Sequence, residues 1–169
     1  MLEDTKTALE RWGGVHTLID RWLEQRRDMV VTLVELQEAC DAELETVTKE
    51  RIDAFSETLM DYISGGHFEI YPQLRDEAEA FDDQEALALA DHLLARLEMS
   101  TQMVLEFDND YSTPVRCQHY AARLPAWLER LTKGLTERFA LEDQLIARLH
   151  AAHAPLHASE AASAPRALS

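Results

Sequence analysis

At 169 residues, 46% hydrophobic and 28% charged, the chain has the composition of one globular domain with room for a real core, and not that of a disordered segment. Its formal charge of −16 repels phosphate backbones and anionic lipid, which argues against direct binding to nucleic acid or a membrane surface and for a basic protein as partner. No run approaches the roughly 18 apolar residues of a membrane span, the acidic start Met1-Leu2-Glu3-Asp4 has no signal-peptide core, and Cys40 and Cys117 lack metal-ligand spacing, so a cytoplasmic protein with reduced thiols is expected.

The first helical pattern carries Trp12, Val15, Ile19, Trp22, Arg26, Met29, Leu33 and Leu36 at alternating steps of three and four, the seam of a bundle helix packed at a shallow angle. Gly13-Gly14 costs on the order of 2 kcal/mol against alanine inside a helix, so the helix proper is expected to begin at Gly14, behind a separate leading turn. Residues 37–45 are acidic and lack periodicity, which predicts a loop. A second helix presents Ile52, Phe55, Leu59, Tyr62 and Ile63 and is expected to stop at Gly65-Gly66 in a left-handed cap. A short third helix starts near Tyr71-Pro72, with Ile70, Leu74 and Phe81 inward and Glu77 and Glu79 wet.

Asp82 or Asp83 caps a fourth helix, whose face of Leu87, Ala90, Leu94, Leu97, Val104 and Leu105 runs to about Tyr111 before Ser112-Thr113-Pro114. The last pattern carries Leu124, Leu128, Leu131, Leu135, Phe139, Leu145 and Leu149, with Gly134 marking a close helix contact. Beyond His150 the chain turns rich in Ala, Ser, Pro and His. Long helices joined by short breaks predict an all-α antiparallel four-helix bundle with additional short helices over 1–150, followed by a flexible tail over 151–169.

Charge is uneven along the chain. Residues 39–112 hold 19 acids against 4 bases, so this middle segment carries almost the whole negative excess. On helical geometry, Glu50, Asp53, Glu57, Asp61 and Ser64 point away from the core side of the second helix, and Phe68 joins them if the helical direction persists past the glycines. An acidic stripe ending in an exposed aromatic is an interaction face, with charge to steer and an aromatic to anchor; the alternative is a solvated stripe with Phe68 folded inward.

Arg26, Arg138 and Glu142 fall on apolar seams. Buried charge is tolerated when paired, so they read as an interior salt-bridge network, a ligand cavity, or snorkelling at the bundle edge. Chemistry finds little footing. A di-iron bundle needs Glu-x-x-His steps, and the chain has none. His67 sits in a break with no lysine until Lys133, unlike a phosphotransfer histidine, and no glycine-rich phosphate loop is present. Neither an enzyme nor a metal or cofactor protein is expected.

Several stretches resemble the Rsd/AlgQ family of regulators of the primary sigma factor of bacterial RNA polymerase. They are Asp20-Arg21-Trp22-Leu23 with Arg26, Asp61-Tyr62, Gly66-His67-Phe68 with Ile70-Tyr71, and Arg138-Phe139 with Leu141-Glu142-Asp143 and Leu145-Ile146; Trp12-Gly13-Gly14-Val15-His16 is closer to the AlgQ branch. The resemblance spans roughly residues 8–150 and departs in the 37–45 and 76–86 connections and the tail. It implies an all-helical anti-sigma protein that binds region 4 of the primary sigma factor, the helix-turn-helix part that reads the −35 promoter element; a monomer is expected when unbound. Binding there sequesters the factor from core polymerase and favours alternative sigma factors. The partner-binding residues are then Glu57, Asp61, Ser64, His67 and Phe68, with Arg21, Trp22 and Tyr71. A ligand- or cofactor-binding bundle and an acidic adaptor for another basic protein are the competing readings.

Overall fold

The computed structural model describes residues 2–44 and 47–163, with side chains over 10–44 and 47–153. Every secondary-structure element among these residues is helical: α1 (Leu2–Glu43), α2 (Lys49–Gly65), a π-helical turn (Gly66–Ile70), α3 (Tyr71–Ala80), α4 (Gln84–Asp110), α5 (Pro114–His119), a 3-10 turn (Ala121–Arg123) and α6 (Leu124–Ser163).

Cross-helix pairs set the directions. Along α1, Trp12 meets His153, Arg26 meets Asp143 and Gln37 meets Thr132, so α1 and α6 run antiparallel. Trp22 against Tyr62 and Thr32 against Thr58 make α1 and α2 antiparallel. Arg148 with Asp83, Arg138 with Ser100 and Trp127 with Asp110 do the same for α4 and α6. Four helical rods (α1, the α2–α3 run, α4 and α6) therefore enclose one core.

Each helix follows from its residues. The α1 seam is buried throughout except at Arg26, whose side chain reaches the bundle edge. Thr48 accepts from the Arg51 N–H at the start of α2, and Asp83 accepts from the Ala86 N–H at the start of α4, the preferred N-cap chemistry. Gly134 is where Met103 of α4 comes closest; a Cβ there would stand 2.6 Å from the Met103 methyl.

Several expectations are corrected. α1 passes unbroken through Gly13-Gly14, because burying Trp12 and Val15 outweighs the propensity cost. Neither glycine is needed for space: a Cβ at either meets nothing within 4 Å. The predicted loop over 37–45 is helix as far as Glu43, held by buried Leu36, half-buried Cys40 and the Gln37–Thr132 hydrogen bond. Residues 45 and 46 lie outside the described residues.

Gly65-Gly66 form no left-handed cap; Gly66 has φ −58° and ψ −55°, and helix continues through it. On α4 the inward face is Ala86, Ala90, Leu93, Leu97, Met103, Val104 and Phe107, whereas Leu94 and Leu105 are exposed. α6 continues past His150 to Ser163 and buries His153, so residues 151–163, expected as tail, are helical. Residues 164–169 lie outside the described residues.

Candidate interaction face and its buried support

The π-helical turn between α2 and α3 organises the site. Such wide turns occur mostly as single inserts within α-helices, often at functional positions. Here the Tyr71 N–H closes the turn on the Gly66 carbonyl. Gly65 and Gly66 are small because neighbours press on them. A Cβ on Gly65 would lie 3.0 Å from Gln25 Oε1 and 3.4 Å from Trp22 Cδ1, and one on Gly66 would lie 3.0 Å from three atoms at the Tyr71 ring end. The glycines let α1 and the Tyr71 ring approach the backbone closely.

On the outer side of the turn, His67, Phe68 and Glu69 are exposed in succession. Phe68 is 75% exposed and touches the His67 ring edge-on at 4.8 Å, so it points outward instead of folding into the core. Glu57 and Asp61 are exposed on the same side of α2, Ser64 is half-buried at its end, and Arg21 is exposed on α1. Asp53 is engaged by Lys49 at 2.6 Å. Glu57 and Asp61 have no ion pair among the described residues, which leaves their charge unspent.

Of the residues expected to meet a partner, Trp22 and Tyr71 are buried, both 2% exposed. Trp22 stacks on Tyr62 at 5.2 Å and meets Tyr71 edge-on at 5.7 Å. Its Nε1 donates to the Tyr62 carbonyl at 3.0 Å, at the end of α2 where the helix passes into the π turn. They shape the platform beneath the face.

Under that platform lies the polar network. Tyr62 and Tyr71 both donate their hydroxyls to Glu142, which is fully buried. Arg138 Nε donates to Glu142 Oε1 at 3.1 Å and to the Tyr71 hydroxyl at 3.0 Å, and its Nη1 donates to Ser100 Oγ at 3.0 Å. Arg26 stands at the edge. It bonds Asp143 at 2.7 Å and the Phe139 carbonyl at 3.1 Å, lies over the Phe139 ring at 4.3 Å, and reaches Glu142 at 3.6 Å. The salt-bridge network read from sequence is present, with Arg26 as its solvent-side end.

Burial pushes the Glu142 carboxyl up from its ordinary value, against the opposing pull of Arg138 and the two hydroxyls. Burial and then the Glu142 charge push Tyr62 and Tyr71 far up, so both stay protonated and able to donate. Burial works against the Arg138 charge, but the net shift is upward, with the Tyr71 hydroxyl and the Glu142 carboxylate accepting from its Nε. The network is not fully closed: Arg138 Nη2 and Arg26 Nε are buried with no hydrogen-bond partner among the described residues.

A second buried polar cluster escaped the sequence reading. Glu77, expected on the wet face of α3, is 2% exposed and accepts from Arg11 of α1 through both oxygens. His153 of α6 stacks on Trp12 at 4.1 Å, and the tilted Phe81 ring lies 4.1 Å from the His153 ring. Its Nδ1 lies 2.6 Å from the Leu149 carbonyl, which can only accept, so Nδ1 carries a proton and Nε2 faces Glu77 at 3.3 Å. The available signals were position: His153 lies one step of four beyond Leu149 on the α6 stripe, and Glu77 one step of three beyond Leu74.

Among the described residues no group of three His, Cys, Asp or Glu side chains is placed to hold a metal ion, and no helix is long and apolar enough to cross a membrane. The geometry offers a surface for recognition above a rigid polar core.

Comparison with known proteins points the same way. Residues 1–150 match the family model described as regulator of RNA polymerase sigma(70) subunit, Rsd/AlgQ. A protein named regulator of sigma D from Pectobacterium atrosepticum is 31% identical, the match covering 89% of this chain and 99% of that one. A regulator of sigma D from Pectobacterium carotovorum is 33% identical over 86% of this chain and 96% of its own. One from Escherichia coli is 30% identical over 86% and 92%.

Proposed function

The chain belongs to the Rsd/AlgQ family of regulators of the RNA polymerase sigma(70) subunit, and we propose that it acts as an anti-sigma factor by docking the α2 face and π-helical turn onto region 4 of the primary sigma factor. The role is regulatory and not catalytic. The observation that carries this reading is Phe68, a 75% exposed aromatic that follows the exposed carboxylates of Glu57 and Asp61, which have no ion pair among the described residues. An aromatic held on a short turn loses little freedom on binding, and unpaired acids favour a basic partner.

Region 4 fits by chemistry. A helix-turn-helix domain is basic where it meets DNA, and this chain carries −16 overall with the excess in its middle segment. Glu57, Asp61 and Ser64 contact the basic surface, Phe68 supplies the anchor with His67 beside it, and Arg21 borders the patch. Covering that surface keeps the factor from promoter DNA and core polymerase, so alternative sigma factors gain access. The regulator works in the cytoplasm as a monomer until it binds.

The test is a binding comparison between the full primary sigma factor, its isolated region 4, and the factor lacking region 4. The reading expects the first two to bind with similar affinity and the third not to bind. Retained binding by the factor lacking region 4 overturns the assignment.

A further inference from the structure

Arg138 has a bond left to make. It is 3% exposed, its Nε and Nη1 are engaged by Tyr71, Glu142 and Ser100, and its Nη2 is buried without a partner among the described residues. An unmet donor on a buried cation costs more than one on a neutral group. Arg138 also lines a cavity of about 190 Å³ between α4 and α6, as does Ser100, the acceptor of its Nη1.

The rest of that cavity has two characters. Leu97, Met103 and Leu141 give it apolar walls, and Arg96 and Arg130 stand with Arg138 around it against Glu137 as the one acid of the lining. In a chain of charge −16, three guanidiniums surround one cavity, each with one acid partner: Glu142 for Arg138, Glu137 for Arg96 and Glu106 for Arg130. The outer two are weakly held. Arg96 lies 3.9 Å from Glu137 and Arg130 3.9 Å from Glu106, all four side chains about half exposed or more. Such pairs contribute roughly 0–1 kcal/mol and release easily to a better partner.

We propose that this cavity binds a small monocarboxylate with a compact apolar body, its carboxylate paired with Arg138 Nη2 and its body held between Leu97, Met103 and Leu141. Size sets the class. An apolar cavity of about 150 Å³ is known to take benzene, so 190 Å³ admits a molecule of benzoate size and excludes a nucleotide. A guanidinium favours the planar, two-oxygen carboxylate, and the apolar wall disfavours a bare inorganic anion. Nη2 is buried in this structure, so the proposed binding requires Met103, which lines the cavity, to re-pack. Its methyl rests against Gly134, and three rotatable bonds let a methionine re-pack at low cost.

No residue of α2 or the π-helical turn lines the cavity, and its test involves no sigma factor. The full chain, with methionine methyl groups labelled for NMR, is titrated with benzoate, with benzyl alcohol as the neutral isostere, and with inorganic phosphate. Benzoate is expected to shift the Met99 and Met103 methyl signals saturably while Met29 and Met60 stay put, with benzyl alcohol weaker by about tenfold or more. Arg138→Gln is expected to abolish benzoate binding. Because that change touches the core network, Arg96→Gln and Arg130→Gln provide folded variants, each expected to weaken benzoate several-fold. Equal binding of benzyl alcohol, equally effective phosphate, unchanged affinity in both outer variants, or no methyl shift across the millimolar range each overturn the proposal.

Discussion

Replacing Glu142 with glutamine is the sharpest probe of the buried network. The side chain keeps its size and loses its charge, while two tyrosine hydroxyls and Arg138 Nε still aim donors at it. The amide oxygen can accept from some of them, but its NH2 confronts the others, and Arg138 loses its buried counter-charge. Breaking a buried pair by removing one partner costs about 3–5 kcal/mol. For a chain of this size each kcal/mol lowers Tm by roughly 2–4 °C, so the expected fall is roughly 6–20 °C. Urea and thermal unfolding followed by circular dichroism and by tryptophan fluorescence measure it, with coincident transitions as the check that two states suffice. Tyr71→Phe removes the hydroxyl that donates to Glu142 and accepts from Arg138 Nε; Nε keeps Glu142 as its acceptor, so the change should cost about 1.5–3 kcal/mol, less than the charge removal. A loss below about 1 kcal/mol for Glu142→Gln would refute the view that this carboxylate holds the helices in register.

Gly66→Ala should destabilise by about 1–2 kcal/mol despite its gain in helix propensity, since its Cβ meets the Tyr71 ring end at 3.0 Å and that ring is walled in by Trp22 and Glu142. Gly13→Ala, in open space, should stabilise by about 0.5–1 kcal/mol; denaturant midpoints that move the same way for both would contradict the packing account. His153→Ala removes a ring packed against Trp12 and Phe81 and leaves Glu77 with Arg11 alone, so about 2–3 kcal/mol of stability should be lost in urea titrations; a neutral effect would make residues beyond 150 dispensable to the core. Arg148, by its hydrogen bonds, holds the Asp83 carboxyl below its usual 3.8. A lowered acid stabilises the fold above its unfolded pKa and loses that contribution as pH falls through the folded value. Arg148→Gln should therefore raise the Asp83 midpoint in an NMR titration, and an unmoved midpoint would mean the pair has no effect in solution.

How much of this was legible in the sequence depended on whether a signal was local. The α1 seam, the Asp83 cap, the Gly134 contact and the polar intrusions at Arg26, Arg138 and Glu142 could be read because spacing along one helix determines them. Helical phase points Phe68 outward only if the helix continues past Gly65-Gly66, as it does here, so the sequence leaves its direction open. Features set by another helix could not be read. Gly13-Gly14 looked like a break because propensity counts the backbone and not the burial of Trp12 beside it. Gly65-Gly66 looked like a cap, since nothing along α2 announces that Trp22 and Tyr71 press on those backbones. The family resemblance puts Trp22 and Tyr71 in stretches that also hold the exposed Arg21 and His67, and spacing along one helix does not show that the two rings themselves face inward. Glu77 looked wet because its partners, Arg11 and His153, lie 66 and 76 residues away.

The π-helical turn gathers these strands. Its inner side is fixed by Trp22, Tyr62, Tyr71 and Glu142, and its outer side presents Phe68 beside an acidic helix. A rigid support of this kind lowers the ordering cost of binding, which is where a small face gains affinity. The same network ends at Arg138, so the cavity between α4 and α6 and the interaction face share one set of buried side chains.

The most direct test of the central claim is the affinity of isolated sigma region 4 for the wild-type chain, for Asp61→Lys and for Phe68→Ala. Both residues are exposed, so the helical circular dichroism should be unchanged in each variant. Binding is predicted to weaken by about tenfold or more in both, with the loss from Asp61→Lys shrinking at high salt and that from Phe68→Ala persisting. Wild-type affinity in the two folded variants would contradict the account.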